Sequence, residues 1–84
     1  MQNNTNEKKE PKPAYKEIYL PYADKTVNMR KPITADMRAL THIKNEEERT
    51  YVLISNLTGL SDSEINSLEI GDFQKLNTEL QSFL

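Results

Sequence analysis

Cysteine is absent from this chain, which removes disulfide bridges, thiolate zinc sites and cysteine nucleophiles together. Histidine occurs once, at His42, so a catalytic dyad would have to pair it with serine or a carboxylate, and a metal site would rest mainly on carboxylates. A lone helical histidine is seldom either. No apolar run approaches the roughly 18 residues of a membrane span, and the N-terminus lacks the apolar stretch of a signal peptide. A soluble, cytoplasmic chain with no membrane partner is expected. Basic residues are scarce beyond Arg49, where Lys75 stands alone against Asp62, Glu64, Glu69, Asp72 and Glu79. The preceding part holds ten Lys or Arg against eight Asp or Glu, so a net charge of −2 conceals a basic first part and an acidic second one. Nucleic-acid binding draws on basic groups meeting phosphate, so nucleic acid is not an expected ligand.

What is present divides the chain in two. Residues 1–13, MQNNTNEKKEPKP, contain Met1 as their only hydrophobic residue and cannot bury enough surface to offset the entropy of ordering them. A disordered polar tail is expected there, followed by a single domain over residues 14–84. Roughly 70 residues supply only a few kcal/mol of net stability from burial, so help from self-association or a partner is anticipated.

In KEIYL, Ile18 and Leu20 share one face of an extended segment while Glu17 and Tyr19 share the other, the alternation of a strand. Pro21-Tyr22-Ala23-Asp24 carries turn residues, and TVNMR alternates again with Val27 and Met29 on one face. The two segments predict a hairpin with a loop of about four or five residues and no glycine in it.

Pro32 ends the second strand, and Thr34 is a candidate N-cap for a helix through Asp36, Met37, Leu40 and Ile43. Asn45 is the next candidate cap. Glu46, Glu47 and Glu48 then complement the positive end of a second helix carrying Tyr51, Val52, Leu53, Ile54 and Leu57, closed by Gly59. A helix apolar on more than one face is either central in its own fold or buried against a second chain. Ser61-Asp62-Ser63-Glu64 has capping-box spacing and opens a short third helix with Ile65 and Leu68. Gly71-Asp72 reads as punctuation. The last helix then sets Phe73, Leu76, Leu80 and Phe83 at intervals of three, four and three. The expected fold is α+β, an N-terminal β-hairpin packed on three or four short α-helices.

Catalysis is not expected. Glu46, Glu47 and Glu48 are adjacent on a helix and point in different directions, so they cannot converge on one ion. Paired hydrolytic carboxylates need a cleft to raise one pKa, and so small a core has little room for one. A helix-turn-helix reading around Gly59 fails on charge, because SDSEINSLE holds three acids and no base. Neither a cofactor nor a metal is expected. The candidate partner-binding residues are Tyr51, Leu57, Leu60, Phe73, Leu76, Leu80 and Phe83, whose helical spacing suits helix-in-groove recognition. Each of them either touches a partner or forms the inner face of its own helix.

Residues 16–84 resemble the small tail assembly chaperones of contractile-tailed bacteriophages and prophages. The best-matched segment is LISNLTGLSDSEINSLEIGDFQKLNTELQSFL, through Leu57-Thr58-Gly59-Leu60, Ser61, Glu64, Leu68, Asp72 and Phe83-Leu84. Arg30, Pro32-Ile33-Thr34 and Asp36 are similar to the family's basic residue, proline and aspartate at the opening of the first helix. The hairpin loop departs in lacking the glycine often found in relatives. The resemblance implies a chaperone that keeps the helical tape measure protein soluble during tail morphogenesis, helps recruit tail tube subunits, and is absent from the finished particle. It further implies two product lengths made by a ribosomal frameshift. The alternatives are a structural tail component retained in the virion and, behind it, a small helix-turn-helix regulatory protein.

Overall fold

The computed structural model describes residues 15–84. The expected disordered tail over residues 1–13 lies outside the described residues. Strands β1 (Tyr15–Leu20) and β2 (Lys25–Arg30) pair antiparallel with Ile18 opposite Val27. The two-residue period turns Ile18, Leu20, Val27 and Met29 inward and leaves Tyr15, Glu17 and Tyr19 exposed. The loop is four residues long. Its left-handed position, φ 52°, is taken by Asp24, a residue type that tolerates this region better than most, so the turn closes without glycine. The Tyr19 hydroxyl donates to the Asp24 carboxylate at 2.7 Å, which raises the phenol above its ordinary pKa.

The first helix corrects the sequence reading. It is only α1 (Thr34–Arg38), its N-cap is Ile33 rather than Thr34, and the Ile33 N–H donates to the Asp36 carboxylate at 2.8 Å. After Arg38 the chain winds through tighter turns whose bonds run from Leu40 N–H to the Met37 carbonyl, Thr41 to Arg38 and Ile43 to Leu40. The Thr41 hydroxyl also donates to the Arg38 carbonyl. The expected stripe therefore breaks: Leu40 is buried and Ile43 half-buried, while Met37 is exposed.

Asp36 also ties α1 to the hairpin. Arg30 donates to both of its carboxylate oxygens at 2.8 Å, a planar fork that fits the guanidinium. That ion pair, aided by the Ile33 N–H, holds the buried Asp36 carboxyl down to about 2. An unfolded aspartate titrates near about 3.9, so the contribution is complete above that pH and is lost as pH falls toward about 2. Arg30 is itself half exposed and solvent screens the pair, which keeps the effect modest. Urea midpoints of the wild type are expected to fall more steeply across this window than those of Arg30→Gln. Equal slopes would rule the pair out as the source.

Helix α2 (Glu46–Thr58) opens as expected, with the Asn45 side chain accepting from the Glu48 N–H at 2.9 Å and three glutamates in the first turn. Gly59 closes it at φ 80°, where a side chain would be strained even though open space surrounds the position. Leu53, Ile54 and Leu57 are buried because α2 packs against β2, α1, α3 and α4. Its width in the sequence reflects this central position. Helix α3 (Asp62–Asn66) carries the capping box: Glu64 N–H donates to the Ser61 hydroxyl, Ser61 N–H donates to the Glu64 carboxylate, and these bonds lower the Glu64 pKa.

Helix α4 (Ile70–Phe83) starts earlier than the punctuation reading allows. Glu69 caps it by accepting from the Gly71 N–H, so Gly71 and Asp72 lie inside the first turn. A Cβ at Gly71 would sit 2.9 Å from the capping Glu69 Oε1, so that side chain would have to shift, and in ordinary contact with the Tyr22 ring at 3.6 Å. Asp72, 1% exposed, accepts from the Ala23 N–H at 2.9 Å and the Tyr22 N–H at 3.3 Å, tying the hairpin loop to α4. Leu76 and Leu80 point into the core between the sheet and α2.

Candidate protein-binding groove

A half-open groove of about 440 Å³ lies between α2, α3 and the start of α4. The Tyr51 and Phe73 rings meet on its floor edge to face, 5.3 Å apart at 64°. Ile70, exposed at 64%, stands at its margin with half-buried Leu68 beside it. Thr50, Asn66, Gln74 and Asn77 line the rest with hydroxyl and carboxamide groups.

Helical periodicity explains the convergence. On α2, Glu47, Thr50 and Tyr51 share a face, and on α4, Ile70, Phe73, Gln74 and Asn77 do. The same periodicity turns the nearby bases away, because residues two apart differ by about 200° around a helix. Lys75 stands two positions beyond Phe73 and is exposed elsewhere on α4. Arg49 stands two beyond Glu47 and donates to the Ile43 and Lys44 carbonyls at 2.7 and 3.2 Å. It lines a separate depression of about 240 Å³ with Met37, Leu40 and Thr41. Glu47 is consequently the single formally charged residue in the groove lining.

The seven candidate residues separate into three groups. Leu57, Leu60, Leu76 and Leu80 are buried in the chain's own core, between 0 and 9% exposed, and offer no surface to a partner in this conformation. Tyr51 and Phe73 meet in the groove. Half-buried Phe83 is remote from them and lies beneath Lys16 of β1, whose Nζ is 4.9 Å from the ring centroid and 3.2 Å from the Glu79 carboxylate. Lys16 also bonds the Ser82 hydroxyl. Ile70 and the polar rim lie outside the sequence expectation because Gly71-Asp72 as punctuation starts the last helix too late. Starting the helix at Glu69 would have put Ile70 one turn before Phe73. His42 lies exposed in the turns after α1, away from the groove lining.

Residues 22–84 match a family model described as "Phage tail assembly chaperone proteins, E, or 41 or 14". The chain belongs to that family. The match includes β2, α1 to α4 and every residue lining the groove of this tail assembly chaperone, while β1 precedes it. No curated protein and no solved structure matches the chaperone significantly. Among its described residues, no helix is long and apolar enough to cross a membrane.

Proposed function

We propose that this chain binds the tape measure protein during tail morphogenesis, in the host cytoplasm, and holds it until tail tube subunits assemble around it. The observation that carries the reading is the half-open groove in which Tyr51, Phe73 and Ile70 remain accessible from solvent on a chain of this family. Exposed apolar surface rimmed by polar groups marks interaction sites, and a trough between helices suits the apolar face of another helix. A long helical protein awaiting its tube presents many such faces. The mechanism is reversible masking: several chaperone copies cover apolar helical surface, and incoming tube subunits displace them because the finished interface buries more of it.

Co-expression tests this directly. The tape measure protein encoded with this chain is expected to be largely insoluble alone, soluble in the chaperone's presence, and co-purified with it. Unchanged insolubility would end the proposal.

A further inference from the structure

The groove mixes apolar and neutral polar side chains and carries one negative charge. Glu47 is its one formally charged lining residue, and the bases nearest in sequence, Arg49 and Lys75, lie about 200° around their helices from Glu47 and Phe73 and are absent from the lining. The chain beyond Arg49 adds five acids against one base. Of these, Asp72 is buried against the hairpin loop and Glu79 pairs with Lys16 near Phe83, while Glu64 and Glu69 serve as capping groups next to the lining residues Ile65 and Ile70, Glu64 with Lys25 in its field. Glu47 precedes Tyr51 by four residues, which is about 6 Å along α2 and one turn from the aromatic floor.

We infer that the groove takes an amphipathic helix from another protein that carries Lys or Arg about one turn away from the apolar side chain seated on Tyr51 and Phe73. This deepens the chaperone reading and rests on it, since it specifies which segments of the client are held. The partner's base meets Glu47 while its apolar anchor covers the ring pair and Ile70. Charge complementarity of this kind steers encounter and rejects partners of the wrong sign more than it adds raw affinity. A second copy docked groove to groove is a poor occupant, because neither lining carries a base to meet the other's Glu47. Duplex nucleic acid is excluded by the same sign.

Two synthetic amphipathic helical peptides test it, identical in their leucine anchors and carrying either lysine or glutamate one turn from them. Fluorescence anisotropy with the full chain is expected to show the lysine peptide binding on the order of ten-fold more tightly at low salt, with most of the preference gone at about 0.5 M salt. Glu47→Lys is expected to reverse the preference. Ile70→Gln, at an exposed first-turn position where folding should survive, is expected to weaken both peptides several-fold. Equal binding of the two peptides overturns the inference. So does binding unaffected by Ile70→Gln, or a dimer in sedimentation that Ile70→Gln dissolves. Co-expression separates this inference from the reading beneath it. If wild type and Ile70→Gln solubilise the tape measure protein equally, the groove assignment fails and the chaperone role stands; if wild type fails to do so, the role itself falls.

Discussion

Leu80→Asp is expected to unfold the chain outright. Leu80 is 1% exposed and lies with fully buried Leu76 on the α4 face turned to the sheet and α2. Truncating a core leucine costs about 2 to 5 kcal/mol, and stranding a carboxylate there without a partner adds several more. A chain of this length has on the order of 4 to 10 kcal/mol of total stability. The loss therefore meets or exceeds the whole. Circular dichroism should show helix loss with no cooperative thermal transition. Leu80→Ala keeps the experiment informative, with a urea midpoint expected well below wild type but a transition still visible. A cooperatively folded Leu80→Asp chain would refute the placement of Leu80 in the core. Partner capture cannot be read from Leu80→Asp, whereas Ile70→Gln alters the groove margin and leaves the core intact.

Asp72→Ala is expected to be the next most damaging change, although it removes no hydrophobic contact. The Asp72 carboxylate accepts from the Tyr22 and Ala23 N–H groups about fifty residues earlier in the chain, so it fastens the hairpin loop to the first turn of α4. Truncation leaves two partly buried donors without an acceptor, at about 1 to 3 kcal/mol for a stranded group, and removes an acid from a helix start, at about 0.3 to 1 kcal/mol. The two groups and the helix-start effect sum to roughly 2 to 7 kcal/mol, and the lower half of that range is expected because Tyr22 and Ala23 are exposed loop residues whose N–H groups water can reach. Asp72→Asn retains one acceptor oxygen and should lose less. Amide exchange at Tyr22 and Ala23 should accelerate in Asp72→Ala beyond the change at α2 amides. An unaltered urea midpoint would show that the loop is held by something else.

Local signals in the sequence were sound wherever a side chain acts on its own neighbourhood. Alternation from Lys16 to Arg30 identified both strands and their inner faces. Asn45, Gly59 and the Ser61–Glu64 box marked helix ends because each bonds or relaxes backbone within a few residues of itself. Two boundaries were misread for the opposite reason. The α1 boundary depends on Asp36, whose carboxylate serves Arg30 of the hairpin as well as the Ile33 N–H, and the α4 boundary on Glu69 and on a loop that arrives from β1. The family resemblance read from Leu57 to Leu84 agrees with the family match over residues 22–84.

The sequence by itself determined the two-part organisation of the described hairpin and helices, the charge asymmetry and the set of apolar residues available for burial. Composition and periodicity are local properties, and they survive any arrangement of the elements. Only the tertiary structure decided which apolar residues are spent internally. Leu57, Leu60, Leu76 and Leu80 vanish into the core, and Tyr51, Phe73 and Ile70 remain at an open groove. Burial is a property of how elements face one another, so residues with the same helical spacing acquire different roles according to what packs across from them.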